Sequence, residues 1–229
     1  MVKNIKTKKI AKSALTLTIL AAVLYNSWPL AFWLDPGTAR RGLASDLEKV
    51  HHPYFWLFIL LDILTSLIIL IVIYLLRVKL SGIVHSKMLK YVMIGLGIFS
   101  VFTITASLLP SDCSITPILK CRVIHQSGLG IDALTSTLAA LGLFLSLIAI
   151  RNLSLHHKLS KKLHLFTQLI FVLWIISGLL FIYFTFSKIS TIAVEDILLI
   201  LSGAIIVLIG VNINEIVKIE LRNTKKVLN

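Results

Sequence analysis

The sequence predicts an all-α membrane protein, a bundle of six transmembrane helices with both termini cytoplasmic, and three observations lead there. First, the 229 residues are 57% hydrophobic and only 14% charged, with a mean hydropathy of +0.94. A soluble domain carries about a quarter charged residues. Second, the apolar residues fall into six blocks, 14–34, 54–76, 88–109, 126–150, 164–186 and 197–217. Each is near the ~20 residues a bilayer-spanning helix needs. Third, basic residues gather in alternate connections. Lys3, Lys6, Lys8, Lys9 and Lys12 precede the first block, and Arg77, Lys79, Lys87 and Lys90 follow the second. Arg151, Lys158, Lys161 and Lys162 follow the fourth, and Lys218, Arg222, Lys225 and Lys226 follow the sixth. The remaining connections hold only Arg40, Arg41, Lys49, Lys120, Arg122 and Lys188.

Short loops rich in Lys and Arg stay in the cytoplasm. Loops one, three and five are therefore expected on the outer face, and the setting expected is a bacterial or archaeal cell membrane. The net charge of +13 reports topology and attraction to anionic membrane lipids, not a nucleic-acid surface. No connection is long enough for a soluble domain, so 1–229 reads as a single integral membrane domain.

The basic start before the first apolar block resembles a signal peptide. The apolar run is longer than a signal core, at ~20 residues, and no small-x-small site ends it, so an uncleaved first helix is expected. That helix closes on Trp28, Pro29 and Trp33, before the turn Asp35-Pro36-Gly37. Its tryptophans suit the outer aromatic belt. Pro53 opens the second helix where a missing N–H does no harm. Asp62 lies two turns further on, with Thr65 and Ser66 at i+3 and i+4 on its face. Gly95 and Gly97 in the third helix, and Gly203 and Gly210 in the sixth, permit close helix approach. His156, His157 and His164, on the basic side, are expected to be solvated or lipid-facing.

Chemistry-bearing residues concentrate in 111–136, read SDCSITPILKCRVIHQSGLGIDALTS. Cys113 and Cys121 are the only cysteines; outside the cytoplasm they pair as a disulfide, and in a reducing compartment they stay thiols. Two sulfurs alone make a poor zinc site. His125, Asp132 and Ser136 lie at i, i+7 and i+11, one stripe descending the fourth helix. The stretch 45–66 repeats this outline, and Asp62-Ile-Leu-Thr-Ser matches Asp132-Ala-Leu-Thr-Ser. The match reads either as a parallel duplication of helices one–two and three–four or as coincidence in an apolar background.

A carboxylate within a span costs roughly 2.5–3.5 kcal/mol and is a functional candidate by default. The candidate outer pocket is Asp62, Ser66, Asp112, His125, Asp132 and Ser136. In the competing reading each aspartate is an inter-helix hydrogen-bond anchor worth ~1 kcal/mol. Three functions follow: binding or transport of a lipid, small polar molecule or cation; a membrane-embedded, metal-assisted hydrolase acting on lipid; or a structural membrane subunit. No phosphate-binding glycine loop, G-x-S-x-G or H-E-x-x-H occurs, and no catalytic residue, cofactor or metal is assigned.

Leu109-Pro110-Ser111-Asp112-Cys113, then Cys121, His125 and Asp132, resembles the bacterial and archaeal membrane family called domain of unknown function 998. The resemblance implies six helices, an acidic residue after the third and a histidine opening the fourth. It also implies a shared polar centre of Asp112, His125 and Asp132, and carries no substrate or reaction with it.

Overall fold

Backbone hydrogen bonding, not the edge of each apolar block, decides where the helices end. The computed structural model describes residues 2–34, 47–48, 53–80, 84, 87–109, 126–157, 159–187 and 192–228, with no strand among them. Its helices are α1 (Val2–Tyr25), α2 (Phe55–Leu75), α3 (Lys87–Leu108), α4 (Gln126–His156), α5 (Lys161–Phe186) and α6 (Ile192–Leu228). Among the described residues, six helices are long and apolar enough to cross a membrane.

Four of the helices outrun their apolar blocks clearly. α1 extends back through the lysine-rich start because lysine is a good helix former and its charge stays solvated beyond the apolar slab. It stops at Tyr25 instead of continuing to residue 34. Pro29 has no N–H to give the Tyr25 carbonyl, so the chain breaks into the 3-10 turn Trp28–Leu30 and one further helical turn, Ala31–Leu34. α5 begins earlier than the apolar pattern, where the Ser160 hydroxyl accepts the Leu163 N–H at 3.3 Å and supplies an N-cap. α4 and α6 run on past the ends of their apolar blocks, and α6 is 37 residues long. α2 passes into a π-helical turn, Leu76–Leu80.

The neighbour order is α1–α2–α3–α4–α6 and back to α1, with α5 packed outside against α6 and α4. Close approach decides two of these contacts. A Cβ on Gly142 would lie 2.6 Å from both the Gly95 carbonyl oxygen and the Phe99 nitrogen, so α3 and α4 meet backbone to backbone. The Ser146 hydroxyl joins them by donating to the Val92 carbonyl at 3.1 Å. α1 offers α6 a stripe of small buried residues, Ala11, Ala14, Thr18, Ala21 and Ala22. Gly210 packs on Thr18 and Leu15, and Gly203 on the Asn26 amide. Gly97 makes no such approach, its nearest neighbour being Ile73 at 4.0 Å from a would-be Cβ. Phe99, Leu96, Leu143, Leu147, Ile205 and Ile209 fill the centre. Leu165, Trp33 and Phe186 are 70%, 87% and 84% exposed, an arrangement that suits lipid rather than water.

The histidines on the basic side are not uniformly solvated, contrary to expectation. His157, 10% exposed at its side chain, places Nδ1 3.0 Å from the Glu220 carboxylate and ties the end of α4 to α6. His164 Nδ1 lies 3.3 Å from the Ser154 hydroxyl, which donates to the Arg151 carbonyl at 2.8 Å. Arg151 stacks over the Phe171 ring at 5.0 Å. His157 and Glu220 pair because α6 continues beyond its apolar block and meets the polar end of α4, whereas His164 and Phe171 reach α4 from α5. Glu220→Ala, which strips His157 of its carboxylate, is expected to cost about 1–2 kcal/mol. Denaturant titration in detergent against the wild-type chain measures it.

Candidate functional site

Asp62 lies on the packed face of α2, in helical register with buried Phe58, Thr65, Ser66 and Ile69. Thr65 fixes that face against α1: its hydroxyl reaches the Leu61 carbonyl at 2.9 Å and the Ala21 carbonyl at 3.5 Å. The partner Asp62 finds comes from loop one. Leu47 is 4% exposed and packs with Ala31 and Phe58, ringed by Trp28, Tyr54 and Leu61. An apolar residue docked this way carries its neighbour with it, and the Glu48 side chain is brought beside Asp62.

Two further helices contribute to this end of the bundle. The Tyr25 ring, at the last turn of α1, stands edge-on to Phe99 of α3, with centroids 5.4 Å apart. Its hydroxyl is within electrostatic reach of Asp62, Glu48 and Glu195, the last in the first turn of α6. Tyr25, Glu48, Asp62 and Glu195 therefore lie toward one end of the bundle, drawn from α1, loop one, α2 and α6. Around it, buried Asn26 Oδ1, Trp28 Nε1 and Ser66 Oγ have no hydrogen-bond partner among the described residues.

The sequence-derived pocket maps onto this cluster only in part. Asp62 belongs to it, and Ser66 is buried one turn below Asp62 on the same face. Ser136 is on the exposed side of α4 while Thr135 beside it is buried, so the serines of the two matching pentapeptides have different surroundings. Asp132 sits on α4, but its side chain lies outside the described residues, as do Asp112, Cys113, Cys121 and His125. α3 stands between α2 and α4 in the neighbour order. Among the described residues no three His, Cys, Asp or Glu side chains gather as metal ligands.

Tyr25 and Glu48 were not legible as site residues in the sequence. Tyr25 ends an apolar block like any interfacial aromatic, and Glu48 counts among the mixed charges of loop one. Leu47, a lone leucine between Asp46 and Glu48, was the available signal. Compared with family models, curated proteins and solved structures, the chain finds no match.

Proposed function

We propose that this chain is a polytopic membrane protein that binds, and passes across the bilayer, a small monovalent cation taken up in exchange for a proton at the Glu48–Asp62 pair. The single observation that carries the reading is the approach of the Glu48 side chain to Asp62, held there by the docking of Leu47. A pair that shares one proton holds one negative charge. When a monovalent cation binds between the carboxylates, the shared proton leaves to water and the net charge of the site is unchanged. Tyr25 offers a hydroxyl oxygen as an additional ligand, and Glu195 adds negative potential that attracts cations. The distribution of Lys and Arg favours cytoplasmic termini, which puts the cluster toward the outer face of a bacterial or archaeal cell membrane.

Proton release tests the reading. Sodium, potassium or methylammonium chloride is added to the purified chain in weakly buffered detergent containing a pH indicator, with choline chloride as the ionic-strength control. At least one of the three is expected to release about one proton per chain, because carboxylate ligands must shed protons to bind a cation. Asp62→Asn is expected to abolish the release. Silence from all three salts, or equal release from Asp62→Asn, sinks the exchange mechanism.

A further inference from the structure

The opposite end of the bundle carries a second site of opposite charge. Lys12 is thirteen residues before Tyr25 on α1, or ~20 Å along the helix axis. Here α1 and α6 enclose a groove of about 490 Å³, a volume in the range of small-ligand pockets. Lys8 and Lys12 stand at i and i+4 on α1, and Asn214, Lys218 and Arg222 at i, i+4 and i+8 on α6. Both rows face the groove, so two like-charged pairs that each repel along their own helix also meet across it.

Among the described residues little offsets that charge. Glu215 accepts from Lys218 Nζ at 2.6 Å. Among the described residues no carboxylate pairs with Lys8, Lys12 or Arg222. The floor of the groove includes Leu15 and Val217, where α1 enters its apolar block. The cations are thus mounted at the boundary between polar helix ends and the apolar span, the level of a phospholipid phosphate. Arg222 presents a planar fork suited to two phosphate oxygens, and Lys8 and Lys12 serve as mobile point charges.

We propose that this groove is a binding site for a phosphate group, filled by the headgroup of an anionic phospholipid whose acyl chains continue along Leu15 and Val217. The site is separate from the carboxyl cluster and does not depend on its function. It also differs from general attraction of basic loops to a membrane, because it assigns the lipid to two helix faces.

Native mass spectrometry tests it on the full-length chain released from nanodiscs of phosphatidylglycerol and phosphatidylcholine in equal parts. Wild type is expected to retain phosphatidylglycerol selectively. Lys12→Gln combined with Arg222→Gln is expected to lose that retention roughly tenfold or more, since each surface cation attracts an anionic lipid appreciably. Both residues are exposed, so folding is little disturbed. Lys161→Gln combined with Lys162→Gln removes the same charge from exposed positions outside the groove and is expected to keep retention. Equal losses in the two double variants, or no preference for phosphatidylglycerol, overturn the lipid site. A parallel arm adds inorganic phosphate and reads ³¹P line broadening. Broadening that the groove variant abolishes, without lipid retention, keeps the phosphate chemistry and replaces the lipid with a soluble phosphate. The absence of both signals overturns the proposal entirely.

Discussion

Gly142→Ala is expected to destabilise the bundle by about 1–3 kcal/mol, the range for overpacking a close-fitted interior, and Gly142→Leu is expected not to fold. A single methyl at residue 142 meets the Gly95 carbonyl oxygen and the Phe99 nitrogen, each 2.6 Å from its position, and then the Ile98 side chain at 2.9 Å. Two of these three obstacles are backbone atoms of α3, so no rotamer change relieves the clash and the helices have to separate. Separation would also strain the Ser146–Val92 hydrogen bond. In a bilayer the loss is felt fully, because lipid is as apolar as the helices it would replace and association depends on packing. The same substitution elsewhere provides the contrast. Gly178→Ala meets nothing within 4 Å and is expected to be neutral or to stabilise α5 by up to ~1 kcal/mol through helix propensity. Thermal melting in detergent, monitored by circular dichroism, should order the variants Gly178→Ala, wild type, Gly142→Ala; a Gly142→Ala melt matching wild type contradicts the backbone contact.

Leu47→Ala is expected to release loop one from the bundle while leaving the six helices assembled. Truncating a buried leucine costs about 2–5 kcal/mol, and the cost falls on the small cluster of Leu47, Ala31 and Phe58, which is separate from the main core. Local opening draws on that local stability rather than on the whole. The melting transition should therefore shift little, while the peptide containing Leu47 and Glu48 exchanges its amide hydrogens much faster. Glu48 then spends most of its time away from Asp62, and cation-driven proton release falls with it. Protection of that peptide unchanged from wild type means Leu47 does not hold the loop.

The apolar blocks make six helices legible because the cost of exposing backbone to lipid forces each block into helix. Their ends were less legible. Helical hydrogen bonding continues through lysine-rich turns that the hydropathy pattern excludes, as at the start of α1 and the end of α6, and stops early where Pro29 lacks an N–H. Asp62 was legible from its type alone, since an ionisable residue in an apolar run has few innocent explanations. Its partner was not. Glu48 reaches it only because Leu47 docks on Phe58 and Ala31, a tertiary contact with no periodic signature. His157 shows the same limit, being paired with a glutamate 63 positions away.

The contact between α1 and α6 has a consequence for how the protein is made. The small-residue face of α1 is complete once Tyr25 has been synthesised, but the helix that covers it begins only at Ile192. At ~5–20 residues per second, roughly 10–30 s pass before that partner emerges. α1, α2, α3 and α4 can assemble in the order of synthesis, whereas the first helix keeps one flank turned to lipid until the last arrives. Packing of α1 against α6 thus follows that of the helices between them, and the basic groove comes into being only at that step.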